Sequence, residues 1–389
     1  MLIERLPEEA QGDLRARGFS RRQLGRIAMV FGMGAAAAAT MGRPAWAAAG
    51  VVDPAPKAKI RLGANECWIG PFESGQAAAR ASLALGNRYD AHGEREDFIR
   101  TVSALEGVPG DHVAPWPGSS DPLSRTIVTF CSPTRGLVTA DPTFELGWHT
   151  AEWLGAPIKR VPLKPDYTHD VKAMAAADPS AGLFYVCTPN NPTGTVTPVA
   201  DIEWLVANKP AGSVVLIDEA YTQFANVPTC SHLAASGKDV VVMRTFSKIF
   251  GMAGMRMGYV MARPDIIAKM MRYDGGMQSG ALPKPSLVCA TASLTDATMI
   301  AARRKEMQDA RAMTFEHLKK RGLNYIPSNA NMFMVDWKTR AANDVRTAMR
   351  TEGIEIGRSW PIWPTMSRVT VGSMSEMTEF CKALDKVSA

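Results

Sequence analysis

Three short apolar runs, each stopping at a polar cluster, constrain this 389-residue chain more than any other feature. They read GLFYVCTPNNPTG over 182–194, GSVVLIDEAY over 212–221 and DVVVMRTFSK over 239–248. None alternates apolar with polar residues, so each strand is expected to be buried on both faces, as in a parallel sheet. Between the first two lies PVADIEWLVANKP (198–210), which reads as a helix. Strand, helix, strand in that order implies right-handed crossovers and an α/β fold, a mostly parallel sheet sandwiched by helices. Ligands of such sheets sit beyond the carboxyl ends of the strands. Asn191, Asp218 and Lys248 each fall just past a run, so one site can collect all three.

Further along, 300–322 reads as an amphipathic helix ending at Gly322. Residues 324–337 read as a strand, and 368–384 as a strand followed by a helix. The expected division is residues 1–49 as an export signal, 50–84 as an arm and part of a small domain, 85–285 as a large domain, and 286–389 as the rest of a small α/β domain.

The formal charge of +6 raises the question of nucleic acid. Residues 1–49 alone carry net +3, and the remainder is too dispersed for a nucleic-acid surface. Those first residues resemble a twin-arginine signal: SRRQLGR at 20–26 carries Arg21–Arg22, an Ala/Gly-rich stretch follows, and PAWAAAG at 44–50 offers small residues for cleavage. The alternative is an uncleaved amphipathic arm. The apolar run is about half of a membrane span, so no stable membrane insertion is expected and the protein is read as periplasmic or otherwise exported. The six cysteines are far apart with no CxxC, and the histidines form no cluster, so no metal site is expected. An oxidising compartment would permit disulfides, but nothing indicates a pairing.

Pyridoxal phosphate asks a protein for a lysine at its aldehyde, a carboxylate at its ring nitrogen, donors at its phenolic oxygen, and cations, hydroxyls and a helix N-terminus at its phosphate. The chain has a candidate for each. The ordered set NNPTG, DEAY and SKIFGMAGMRMGY resembles the fold-type I aminotransferases of class I and II, nearest their histidinol-phosphate aminotransferase-like branch, over roughly residues 58–385.

The resemblance implies that Lys248 bonds the cofactor and shuttles the proton. Asp218 takes the ring nitrogen, and Asn191 and Tyr221 take the phenolic oxygen. Thr245, Ser247 and Arg256 hold the phosphate. PGSSDPLSR (117–125) resembles the family's phosphate turn and adds Ser119 and Ser120, although Ser120 and Asp121 replace its usual small-Asp-Glu and two prolines crowd the preceding strand. DPTFELG makes Phe144 the ring stacked on the cofactor. NRYDAHG makes Tyr89 a phosphate donor to the neighbouring subunit of a homodimer, with Asp90 in place of a common proline. RVTVG makes Arg368 the grip on the substrate carboxylate, with Asn191 beside it.

The expected reaction is transamination between an amino acid and a keto acid. A decarboxylase, lyase or oxidase of the same fold, or a non-catalytic cofactor-binding sensor, are the alternatives. NECWIGP (65–71) and RSWPIWPTMSR (358–368) place Trp68 and Trp360 in segments near the family's site mouth. They suggest a free amino acid with an apolar, aromatic or cationic side chain rather than a phosphorylated substrate. Twin-arginine export machinery carries folded proteins and is the other expected partner.

Overall fold

The computed structural model describes residues 6–32, 59–89, 93–273 and 282–387. Its strands in chain order are β1 (Ile60–Leu62), β2 (Val113–Trp116), β3 (Leu137–Asp141), β4 (Ile158–Pro162), β5 (Leu183–Cys187), β6 (Val214–Asp218), β7 (Val240–Thr245), β8 (Gly258–Ala262), β9 (Asn324–Tyr325), β10 (Met332–Asp336), β11 (Ile354–Ile356) and β12 (Met366–Thr370). Seven of these form one sheet in the order β2-β8-β7-β6-β5-β3-β4. The central pairs are parallel, and β8 alone among these strands runs against its neighbours.

The uninterrupted apolar runs have the cause expected of them. Val214 and Leu216 of β6 enter one core while Val215 and Ile217 enter another, so successive side chains fill opposite faces and both faces are dry. The helix expected over 198–210 is Val199–Asn208, packed between β5 and β6 in the chain. Pro115 lies in β2, at the sheet's edge, where a missing ladder donor is tolerated.

Register sets the site. Cys187 of β5 stands opposite Asp218 of β6, and Asp218 opposite Met243 of β7. Three strands therefore end at one level, and the polar clusters that follow them open on the same side of the sheet.

The C-terminal part builds a second body. An antiparallel sheet β12-β10-β9 packs with the long helix Ala297–Lys320 and the final helix Met374–Val387. β1 pairs in parallel with β11, which ties the segment at 60–62 to this C-terminal part.

The N-terminal residues form two helices whose apolar sides are covered. Helices α1 (Glu8–Ala16) and α2 (Arg21–Gly32) pack on the large domain, with Leu6, Ala10, Leu14, Phe19, Leu24, Ile27 and Ala28 buried in its core. Polar contacts fix the docking. Arg17 donates to the carbonyl oxygens of Val128 (2.7 Å) and Cys131 (2.6 Å) and to the Tyr273 hydroxyl (3.0 Å). Gln23 donates to the Leu154 carbonyl (2.7 Å), and Asp13 pairs with Arg272 (2.9 Å). Arg21 and Arg22 remain on the exposed side of α2. The small-residue stretch 44–50, expected to hold a cleavage site, lies outside the described residues.

This docking has a measurable consequence. Leu24 is fully buried, so Leu24→Ala is expected to destabilise by about 2–5 kcal/mol, the usual cost of a large-to-small change in a packed core. Deleting residues 1–28 should also make the buried Cys131 thiol accessible to an alkylating reagent in the folded protein. Unchanged urea midpoints and an unreactive Cys131 would show that α1 and α2 do not cover this face.

Candidate active site

Beyond the ends of β5, β6 and β7 lies a cavity of about 310 Å³. Its wall includes Ser119, Ser120, Phe144, Asn191, Asp218, Tyr221, Thr245, Ser247, Lys248, Arg256 and Arg368. The structure thus brings together every expected cavity residue of the cofactor set from its own chain. Ala64, Asn65, Glu66, Cys187, Ala220 and Ala253 complete the wall and were not singled out in the sequence.

Asp218 ends β6 and is buried. Its Oδ1 accepts from the Ala220 amide (3.1 Å) and its Oδ2 from the Tyr185 hydroxyl (2.9 Å). Burial raises its pKa to about 6, while the Tyr185 hydrogen bond, the Ala220 amide and the Lys248 charge pull the other way. It is therefore mostly ionised at neutral pH, a charge aimed at a site that a pyridinium nitrogen would fill. The next residue, Glu219, is a second buried carboxylate, held by Arg244, which also pairs with Glu106.

Lys248 follows β7 and is half-buried, with Nζ donating to the Asn65 carbonyl (3.2 Å). Burial lowers its pKa to about 8, and the charge of Arg368 adds to the fall. A fraction of this amine is neutral near physiological pH and can attack an aldehyde or take a proton.

The anion end of the cavity is built from backbone shape and hydroxyls. Gly118, at φ +87°, precedes Ser119, the N-cap of helix Ser120–Phe130. A Cβ there would collide with the guanidinium of Arg256, so only glycine lets that cation approach the turn. The Ser119 hydroxyl makes no cap bond, and the residue lines the cavity. Thr245, Ser247 and Arg256 are linked: Thr245 Oγ1 donates to Ser247 Oγ (2.9 Å), and Arg256 Nη1 reaches Ser247 Oγ (3.4 Å). Helix amides, hydroxyls and a guanidinium suit a phosphate. Asp121 does not take part, because it pairs with Arg125 (2.6 Å) beneath the turn.

At the other end stands Arg368, on β12. It donates from Nη1 to Asn191 Oδ1 (2.9 Å) and from Nη2 to the Gly63 carbonyl (2.6 Å), and its buried Nε has no partner among the described residues. Asn191 spends its oxygen on Arg368 and keeps its Nδ2 as a donor. Tyr221 accepts from Asn65 Nδ2 (3.1 Å), which leaves its own proton to give. These are the donors a phenolic oxygen requires. Lysine, carboxylate, phenolic-oxygen donors and anion cup all face one space, and the donor set fits pyridoxal phosphate.

Three expected residues stand elsewhere. Trp360 does not line the cavity. It is buried with Ile326 and Met334, and the guanidinium carbons of Arg358 and Arg368 lie 4.1 Å and 5.7 Å from its ring centroid. It acts as a platform under the arginines. Trp68 is half-buried against the main core and also misses the cavity wall. Tyr89 is fully exposed and does not reach the cavity of its own chain. Arg358, which the sequence reading passed over, pairs with Glu145 next to Phe144 and so bridges the two bodies at the mouth. Among the described residues, no cluster could hold a metal ion, and all six cysteines are free thiols.

Comparison with known proteins agrees with this geometry. The family of aminotransferases class I and II matches residues 58–384. The histidinol-phosphate aminotransferase of Symbiobacterium thermophilum is 32% identical over 328 residues, covering 84% of this chain and 89% of the relative. That of Moorella thermoacetica is 30% identical, covering 85% and 86%. A solved structure from Erwinia carotovora atroseptica superposes with a TM-score of 0.80 at 31% identity, covering 86% of this chain and 98% of that one. The Sinorhizobium meliloti histidinol-phosphate aminotransferase, solved with pyridoxal-5'-phosphate, gives a TM-score of 0.76 at 24% identity, a likeness of fold, covering 85% and 91%.

The charge state of Lys248 makes cofactor loading pH-dependent. Only the neutral amine adds to an aldehyde, so the rate at which apoenzyme takes up pyridoxal phosphate should rise with pH through about 8 and then level. Arg368→Met removes a charge that depresses Lys248 and should move that midpoint upward. Stopped-flow absorbance measures both, and a rate independent of pH between 6 and about 9 would contradict the assignment.

Proposed function

The chain belongs to the class I and II aminotransferases and is a pyridoxal-phosphate-dependent aminotransferase, and from that premise we propose that its amino donor is a free α-amino acid held by its carboxylate on Arg368. The observation that carries this is the Arg368 guanidinium, which stands in the wall of the same cavity as Lys248 and is braced there by Asn191 and the Gly63 carbonyl. A planar fork matches a carboxylate, and lysine would not replace it.

The cofactor supplies an aldehyde and an electron sink. The chain supplies the rest. Arg368 and Asn191 orient the substrate. Lys248 Nζ, the amine in the cavity wall, takes the proton from the substrate Cα and returns one. Asp218 keeps a negative charge where a protonated ring nitrogen needs it. Phe144, Ala64 and Ala253 supply the apolar part of the same wall.

For the side chain, the placement of Trp68 and Trp360 removes the indole wall as an argument. Glu66 in the cavity wall favours a cationic or neutral side chain over an anionic one. Histidinol phosphate is the second reading, supported by what the relatives are named and by Arg358, if Glu145 releases it. We read the enzyme as a homodimer, with the exposed Tyr89 reaching a neighbour's phosphate site. We also read it as exported. Arg21 and Arg22 are exposed on α2 while Leu24, Ile27 and Ala28 are buried, so a receptor can meet the pair without undocking the helix.

Two experiments test this reading. Borohydride reduction and peptide mapping should label Lys248, and a panel of donors followed by absorbance should bleach the cofactor with free amino acids. Lys248→Ala should abolish both signals. Turnover of histidinol phosphate with free amino acids inert would defeat the substrate proposal, and a label on another lysine would defeat the site. Separately, Arg21→Lys with Arg22→Lys should leave the purified enzyme's activity unchanged and retain it in the cytoplasm. Export of that double variant would overturn the twin-arginine reading.

A further inference from the structure

Tyr185 and Asp218 come from neighbouring strands and share a face of the sheet. Tyr185 belongs to β5, whose Leu183, Tyr185 and Cys187 join the same core as Leu216 of β6, and Asp218 continues that face. The Tyr185 side chain is fully buried. Its ring lies against Gly147 behind the sheet, where an added Cβ would already be 3.6 Å from the ring. The ring is thus held, and its hydroxyl donates to Asp218 Oδ2 at 2.9 Å. Oδ1 is taken by the Ala220 amide. Each carboxylate oxygen has one protein donor on the outer side and keeps acceptor capacity toward the cavity.

We propose that Tyr185 is a positioning residue for catalysis, its hydroxyl fixing both the direction and the negative charge of the Asp218 carboxylate. The proposal rests on Asp218 as the partner of the cofactor's ring nitrogen. The reasoning is electrostatic. A carboxylate at the end of a buried strand favours its neutral acid, and a protonated Asp218 cannot hold a pyridinium. A hydrogen bond given to the charged form opposes this, and a bond to a charged group outweighs a neutral one. The other charged and titratable groups facing Asp218 are Lys248 from the loop after β7, Cys187 on β5, and Glu219 and Tyr221 in the turn just after β6. Lys248 would hold the cofactor's aldehyde, so its charge is not reserved for Asp218. Glu219 is answered by Arg244. Cys187 gives its thiol proton to the Pro189 carbonyl (3.4 Å) rather than to Asp218. Tyr185 is the side-chain donor that remains on Asp218 throughout.

Tyr185→Phe keeps the ring and removes the hydroxyl. In holoenzyme titrated downward in pH, the bound-cofactor absorbance and the fraction retained after gel filtration report when Asp218 protonates. Without its donor Asp218 protonates earlier on the way down, so the variant should release cofactor at a midpoint about one pH unit higher than wild type, a tenfold change in the proton equilibrium. Its kcat should fall about tenfold or more with KM within a fewfold. In an Asp218→Asn background the same change should have no further effect on cofactor retention. A Tyr185→Phe midpoint equal to wild type, or weaker retention shifted equally at every pH, would reduce Tyr185 to packing and overturn the proposal. Asp218→Asn with wild-type retention and activity would instead sink the assignment of Asp218 on which it rests.

Discussion

A carboxylate that ends the middle strand of a seven-stranded sheet carries its charge where water does not reach, and much of the surrounding architecture answers that cost. Asp218 sits on β6, flanked by β5 and β7. Its two oxygens are met by a backbone amide and a tyrosine hydroxyl, and the Lys248 amine faces the same cavity. The two groups bend each other. Asp218 is raised and Lys248 lowered by burial, and each stabilises the charged form of the other. Titratable groups pushed toward neutrality from opposite directions are what proton transfer at ordinary pH requires.

Behind this pair lies a second layer of charge. Arg244 is buried between Glu219 and Glu106, and Glu219 also accepts from the Cys230 amide (2.7 Å). Such an ion set adds little net stability compared with an apolar filling, but loss of one member leaves a buried charge unpaired. Its effect here is geometric. It pins the turn after β6 to the end of β7 and to the helix Glu94–Glu106, so Asp218 and Lys248 cannot drift apart.

The site is finished by the other body of the molecule. Arg368 comes from β12, Asn65 from the segment after β1, and Asn331 from the turn before β10. Asn331 Nδ2 contacts the carbonyls of Asn65 and Glu66 (3.3 Å each), and Asn65, in the left-handed region at φ 55°, turns its own carbonyl onto Lys248 and its amide onto Tyr221. One strained asparagine thus couples the two bodies to the reactive amine. The Glu145–Arg358 pair makes a further link at the mouth, where substrate has to pass. Arg368, Asn65 and Lys248 share one cavity wall only while the two bodies keep this register.

The sequence by itself determined the sheet and the identity of its polar ends. Uninterrupted apolar runs admit few structures other than strands buried on both faces, and local rules place Asn191, Asp218 and Lys248 just past them. Helix periodicity likewise marked Val199–Asn208 and Ala297–Lys320. These features are local, so neighbouring residues suffice to read them. Tertiary structure decided the rest. That Tyr185 supports Asp218 follows from strand register and a shared face, which no linear spacing encodes. Trp360 looked like a wall and is a platform because its loop folds back under two arginines. Residues 1–49 read as an export signal or an uncleaved amphipathic arm, and the apolar stripe of residues 6–28 finds a matching face formed by helices more than ninety positions away in the chain. An amphipathic stripe states that something will cover it, and only the folded partner surface states what.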